Sequence, residues 1–397
     1  MKNHRRNKVE PRPTSALKKA TGLFAAFFAI FAALFCGCDV SATAAPPASD
    51  AVRTAYAGTE NRGETTGANL PLCTVSAQGR VEHLFTHALI SHPEIAFSAG
   101  NAYGKHLDED CLTPDEFRAI LAQLYKNGYT LVNARDTFEI TEKGAAVRRS
   151  FRFPKGKIPL ILSFDDVVYA RKNQGKGTSD RLDAADGKIV AVTRFSDGKI
   201  RTHGEEFAPI LEDFIEKHPD FSFENARGII FLTGFDGVLG YRTDRNSENK
   251  GTEREKAATV IAALKEKGWT FGCHSYAHRH MLKCTAEQMK DDLEKWKNEV
   301  QPLVGATPFY AYPYGEWTFG KNGEDERQIA LKNAGYSLFF GVGNLPFYTK
   351  MPLRSNGEKY LFMDRCPMDG VSLRNGYCAR FFDCTAVYDK IRPMSNI

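Results

Sequence analysis

Two short stretches, about a hundred residues apart, carry the side chains most suited to chemistry. The first, Ile161-Leu162-Ser163-Phe164-Asp165-Asp166, is an apolar run that ends in two adjacent carboxylates. The second, His274-Ser275-Tyr276-Ala277-His278, sets two imidazoles four positions apart. A buried strand that delivers carboxylates to its C-terminal end suits general-base and metal-ligand work. Two histidines at i and i+4 share one face of a helical turn and can grip one ion. Asp166, His274 and His278 thus offer one hard oxygen and two imidazole nitrogens, a three-ligand set with room for water. Such donors suit zinc, with cobalt, nickel or iron as alternatives. Asp165 is left free to take a proton from the activated water. Adjacent residues on an extended segment point to opposite sides, so the chain must bend at the strand end for both aspartates to serve one site.

The elements that position these residues alternate. Thr113-Pro114-Asp115-Glu116 gives a cap, a proline in the first turn and acidic first-turn residues, followed by Phe117, Ile120, Leu121 and Leu124 at helical spacing. Tyr129 to Val132 and Pro159 to Phe164 read as strands, Phe207 to Lys217 as a helix, and Gly228 to Leu232 as a strand. A helix over Glu253–Lys267, ended by Gly268, leads through Trp269-Thr270-Phe271-Gly272-Cys273 into the histidines. Helices over Ala286–Val300 and Glu326–Asn333 flank a strand end at Phe309–Pro313, and Ser337–Phe340 is a further strand. Strands alternating with helices mean a parallel sheet, and the expected fold is α/β, a barrel in a single catalytic domain. Residues 171–206 are polar, with turn signals at Asp186-Gly187 and Asp197-Gly198 around Ile189–Val192, and are expected to form an inserted β-hairpin.

In this order, Ser163-Phe164-Asp165-Asp166, His274-Ser275-Tyr276-Ala277-His278 and Tyr312-Pro313-Tyr314-Gly315 resemble the first three motifs of polysaccharide deacetylases with the NodB-homology domain, carbohydrate esterase family 4. The resemblance covers residues 80–370. It implies a distorted (β/α) barrel that removes N-acetyl groups from sugar polymers with a divalent metal. Carried over position by position, Asp165 matches the general base, Asp166, His274 and His278 match the metal ligands, and Tyr314 matches the residue whose backbone N–H helps hold the oxyanion. The implied reaction is metal-assisted amide hydrolysis.

Two positions depart from the pattern. The third motif ordinarily begins with an arginine that orients the base, and Ala311 stands there. Arg365, in Arg365-Cys366-Pro367 at a later strand end, is the candidate substitute. The general acid is ordinarily a histidine near the C-terminus, yet none follows His280. Phe85-Thr86-His87 ends the first strand, which resembles the rearranged order of poly-N-acetylglucosamine deacetylases, where the last motif moves to the front. His87 is then the candidate acid; His83 and His92 are less well placed, and His83, of the same strand parity, is the named rival. Tyr276, Tyr312, Tyr314 and Trp317 are candidates for stacking on sugar rings, and equally for packing. The turn Gly240-Tyr241-Arg242 is a further candidate for the rim of the cleft.

The expected function is hydrolysis of N-acetyl groups on a cell-surface or extracellular amino-sugar polysaccharide. A catalytically inactive glycan-binding module on the same fold is the alternative, supported by the missing arginine and opposed by retention of the ligands and Asp165. A metallopeptidase fits less well, because Ser275 follows His274 where His-Glu-x-x-His enzymes place glutamate.

The first residues set the expected compartment. Lys2, Arg5, Arg6, Lys8, Arg12, Lys18 and Lys19 precede an apolar run from Gly22 to Phe35, too short for the about 20 residues of a comfortable membrane span and suited to a signal-peptide core. Cys38 and Ala42-Thr43-Ala44 offer alternative cleavage sites, one for a lipoprotein; an uncleaved anchor is the third reading. All three export the chain, with a signal peptide or anchor over 1–38, a flexible linker over 39–79 rich in Ala, Thr, Pro, Gly and Ser, and the catalytic domain over 80–390. The net charge of +5 is concentrated in that leader, so it does not argue for nucleic-acid binding. The expected partners are an N-acetylated polysaccharide and, through the leader, a membrane. None of the nine cysteines forms a Cys-x-x-Cys pair, which disfavours a zinc ribbon; in an exported protein Cys378 and Cys384 can close a small loop.

Overall fold

The structure, a computed structural model, describes residues 70–142, 145–318, 325–343, 349–352 and 359–393. The apolar run at Gly22–Phe35 and most of the linker lie outside them; among the described residues no helix is long and apolar enough to cross a membrane.

Seven parallel strands close into a barrel in chain order. They are β1 (Glu82–His87), β2 (Ile158–Asp165), β3 (Ile229–Leu232), β4 (Thr270–Cys273), β5 (Phe309–Ala311), β6 (Leu338–Val342) and β7 (Lys359–Pro367). Each pairs with its neighbour, and β7 returns to β1 with Cys366 opposite Leu84, which closes the sheet. Closure removes both sheet edges. The α/β barrel expected from the alternation is therefore the fold. Among the described residues, five helices of 8 residues or more lie in the connections: α1 (Pro114–Lys126), α2 (Phe207–Lys217), α3 (Lys250–Glu266), α4 (Ala286–Glu299) and α5 (Glu326–Asn333).

Strand alternation sorts the side chains into two cores. Leu160, Leu162 and Phe164 of β2 point outward into the layer beneath the helices, where Phe164 stacks on Phe207 of α2 at 4.1 Å between ring centroids. Ile161, Phe231, Phe309, Ala311, Phe340 and Met363 fill the barrel interior. Because both faces are covered, the strands read as nearly continuous apolar runs, which is why β2 was legible. Local signals fix the helix ends. Thr113 and Glu116 form a reciprocal capping box on α1, as Thr285 and Gln288 do on α4. Gly268 ends α3 with a φ of +100°, and a Cβ there would meet the Asn225 carbonyl oxygen.

Three differences from the sequence reading follow from pairing partners that local patterns do not reveal. The insertion at 171–206 is a three-stranded antiparallel meander, Arg181–Ala185, Lys188–Arg194 and Ile200–His203, because the turn at Asp197-Gly198 adds a third strand to the expected hairpin. Leu72–Val75, inside the stretch read as linker, pairs antiparallel with Phe151–Pro154. Tyr129–Leu131 pairs with the first residues of β2 and bridges Ser222 through Leu131, and is not a stave of the barrel.

Candidate active site

The C-terminal end of β2 turns sharply. Asp165 closes the strand with its side chain in the barrel, and Asp166 adopts a left-handed backbone with a φ of +55°. That bend brings both carboxylates to one mouth, as the extended-strand argument required.

Inside the barrel, β7 sends Arg365 inward beside Asp165. Its guanidinium donates to Asp165 Oδ1 at 2.7 Å and Oδ2 at 2.8 Å, to Ser163 Oγ at 3.2 Å and to the Gly341 carbonyl at 3.3 Å. The ring centroids of Phe85 and Phe231 lie 4.2 and 5.2 Å from its central carbon. Arg365 is fully buried, so its fork meets the carboxylate in a setting where charge-assisted bonds are strong. Burial pushes the Asp165 carboxyl up, but Arg365 and the imidazoles of His274 and His87 more than offset it and bring the carboxyl down to about 2. Asp165 is thus held ionised and oriented. Ala311, at the position of the missing arginine, leaves its side chain in the barrel core, while its carbonyl accepts a 2.9 Å hydrogen bond from His274 Nδ1. That bond assigns the proton to Nδ1 and leaves His274 Nε2 for a ligand.

The histidine pair is not helical. Residues 274–278 form an irregular loop, with Ser275 and His278 at φ of +61° and +51°. The loop is wrapped around Asp292 of α4, whose carboxylate accepts from Ser275 Oγ at 2.7 Å, Tyr276 N–H at 2.6 Å and Ala277 N–H at 2.9 Å. A carboxylate in place of a helical hydrogen-bond ladder satisfies these donors and folds the loop so that His274 and His278 approach with ring centroids 5.0 Å apart. Sequence reasoning missed Asp292. Its signal was an acid on the apolar stripe of α4, in line with the buried Met289, Leu293 and Trp296.

The expected ligand atoms of Asp166, His274 and His278 lie within 4.8 Å of one another. His278 Nε2 is 3.3 Å from Asp166 Oδ2, and His274 Nε2 is 3.7 Å from Asp165 Oδ2. Burial lowers His274, and burial together with the nearby His87 brings His278 to about 4, so both imidazoles are neutral and able to ligate. Burial raises the Asp166 carboxyl. Two neutral imidazoles with one carboxylate fit a divalent cation.

His87 ends β1 directly opposite Asp165 in the strand register. Its Nδ1 donates to the Asp110 carbonyl at 2.8 Å, at the C-terminus of the helix Gly104–Asp110, which leaves Nε2 for the mouth. Burial lowers the His87 imidazole, but the carboxylates of Asp166, Asp165 and Asp110 outweigh it and raise the group above its ordinary value. His83 lies deeper in the barrel, bonded to Ser163 Oγ at 2.9 Å, and burial and Arg365 hold its pKa well down. His92 instead bonds Thr193 of the insertion.

Of the four aromatics, Tyr314 is 56% exposed, at a φ of +59°, with its ring stacked on His280 at 3.7 Å and edge-on to His278 at 4.4 Å. Tyr276 and Tyr312 are buried and bond Glu299 and Gln328, each at 2.6 Å, and Trp317 packs on Phe362. Arg242 braces the segment after Asp166 by donating to the Tyr169 carbonyl at 2.7 Å, so the Gly240–Arg242 turn supports this wall rather than lining it with Tyr241, which is buried.

A parallel (β/α) barrel thus gathers at its C-terminal mouth two imidazoles and a carboxylate, donors suited to a divalent cation, beside an arginine-held aspartate. Residues 238–336 match the family model for polysaccharide deacetylase. That match, which takes in His274, His278 and Tyr314, supports a hydrolase acting on amide bonds. No curated protein sequence matches the chain. Among solved structures it is similar to the Streptococcus pyogenes deacetylase PplD, at 13% identity, covering 77% of this chain and 99% of that one with a TM-score of 0.43. The BpsB deacetylase domain from Bordetella bronchiseptica is likewise 13% identical, over 73% of this chain and 96% of that one, at 0.37. BA3943 from Bacillus anthracis, a family 4 pseudoenzyme, is 11% identical over 43% and 54%, at 0.24.

Proposed function

We propose that this chain is an exported, metal-dependent N-deacetylase of an N-acetylated amino-sugar polysaccharide, tethered to the membrane by its N-terminal segment. The observation that carries the reading is the buried Arg365–Asp165 pair beside the Asp166, His274 and His278 cluster. Arg365 supplies from β7 the orienting cation that Ala311 cannot, which weighs against an inactive module. Asp166, His274 and His278 would hold the divalent cation, zinc by donor type. When bound, it polarises the acetyl carbonyl and acidifies the attacking water.

The remaining work falls to the protein. Asp165, fixed by Arg365, accepts a proton from the attacking water. The backbone N–H of Tyr314 donates to the oxyanion that develops on the acetyl oxygen. His87, steadied through Nδ1 by the Asp110 carbonyl, gives a proton from Nε2 to the leaving amine, so that acetate and a free amino sugar depart. The exposed ring of Tyr314 offers a face to the sugar.

The test compares wild type with Asp165→Asn on oligomers of N-acetylglucosamine, read by acetate and amine release with bound metal measured in parallel. Loss of release with metal retained supports the proposal. Equal absence of release from both proteins across several glycans would sink the enzymatic reading and leave the binding module.

A further inference from the structure

The strand that delivers Arg365 continues directly into Cys366, and the chain then turns through Gly370–Arg374, here α6, to reach Cys378. Both cysteines are buried, and their sulfur atoms are 3.7 Å apart. Cys378 Sγ donates to the Pro367 carbonyl at 3.0 Å and Cys366 Sγ approaches the Tyr377 carbonyl at 3.6 Å, so each thiol is held beside the other. Cys384, whose spacing from Cys378 allows a small loop, has its sulfur near the Phe382 carbonyl and the Cys378 backbone N–H.

We propose that Cys366 and Cys378 form a structural disulfide that staples the Arg365 end of β7 to the C-terminal segment, and that Cys384 stays a thiol. The proposal rests on the export reading, since an oxidising compartment is where such a bond persists. Formation is a two-electron oxidation by a disulfide-bearing oxidant. One thiolate attacks the oxidant to give a mixed disulfide, and the second displaces the oxidant's remaining thiol. The S–S bond forms as two protons leave and the oxidant is reduced to two thiols.

Timing follows from burial. The hydrogen bond to Cys366 and burial both push the Cys378 thiol up, so the folded, reduced pair exchanges slowly. The bond therefore forms during folding, before β7 closes the barrel against β1. Once formed it is shielded from reductant by the same packing, and it restrains the residue next to the arginine that holds the base.

The full chain is unfolded, refolded in a glutathione redox buffer, denatured without reductant, alkylated and mapped by mass spectrometry. The expected result is a cross-linked peptide pair containing Cys366 and Cys378, with Cys384 alkylated. Alkylation of both Cys366 and Cys378, or a Cys378–Cys384 link, overturns the proposal. The same mapping on protein recovered from exporting cells separates the two readings: a link after refolding but free thiols in the cellular sample counts against export, not against the pairing. As a second measurement, Tm of the wild type falls on addition of dithiothreitol after partial unfolding, whereas that of the Cys366→Ser, Cys378→Ser protein does not; equal responses refute the staple.

Discussion

Replacing Arg365 with methionine removes the guanidinium while keeping an unbranched stem of similar length in the barrel. Arg365 makes four hydrogen bonds in the barrel, two of them to Asp165, and is fully buried, while Asp165 is 2% exposed. The substitution therefore strands a carboxylate away from water. Removing one partner of a buried pair costs about 3–5 kcal/mol, mostly the penalty of the charge left behind. Arg365→Met is expected to lose about 4 kcal/mol of unfolding free energy at neutral pH, read by urea denaturation. Asp165→Asn alone strands the guanidinium and is expected to cost a similar amount. The double variant leaves no charge unpaired, so its loss falls short of the sum by about 3 kcal/mol. Arg365→Lys keeps the charge without the fork and falls between wild type and Arg365→Met. Additivity of the two single changes to within about 0.5 kcal/mol would refute the argument, because it would mean the two groups do not depend on each other.

Further outcomes follow from the residues around the pair. Asp292→Ala removes the acceptor that organises the histidine loop and is expected to weaken zinc affinity about 10- to 100-fold by calorimetry; unchanged affinity would show that the loop holds its own shape. His87→Gln should lower kcat by about 10²- to 10⁴-fold while metal content stays that of wild type, and a kcat within about threefold of wild type would remove His87 as the acid. Glu206 is fully buried where its carboxylate accepts from Leu89 N–H at 2.8 Å and Phe207 N–H at 2.9 Å, and burial pushes it up to about 7. A carboxyl whose folded value exceeds its unfolded one binds more protons in the native state between the two. Its contribution is full below about pH 4.5, falls by about 3 kcal/mol as pH rises to about 7, and is flat above. Glu206→Gln should flatten that slope in urea midpoints taken between pH 5 and 7.5, and an unchanged slope would refute the assignment.

The chemistry-bearing residues were legible because each sits at the end of a strongly patterned element. The run Pro159 to Phe164 is apolar on both faces because both faces are covered, so its length and its terminal aspartates could be read directly. Glu326–Asn333 was placed to the residue, since Asp325 caps it and Gly335 follows it. Parity along β1 identified His83 and His87 as sharing a face but could not rank them. The tertiary structure ranks them by depth: His83 is walled in beside Arg365 and Ser163, and His87 sits at the mouth beside the carboxylates.

Other features depended on groups distant in sequence. The spacing of His274 and His278 predicted a helical turn, and the buried carboxylate of Asp292 imposed an irregular loop instead, because it offers the loop's N–H groups a better acceptor than their own carbonyls. Leu72–Val75 became a strand through a partner more than seventy residues away, and the Cys378 sulfur lies 3.7 Å from that of Cys366. By itself the sequence determined the alternation of elements, and with it a parallel α/β fold carrying two acids and two imidazoles at strand ends. Only barrel closure decided that Arg365 lies against Asp165, two hundred residues apart, because strand order and register set which side chains meet inside a closed sheet.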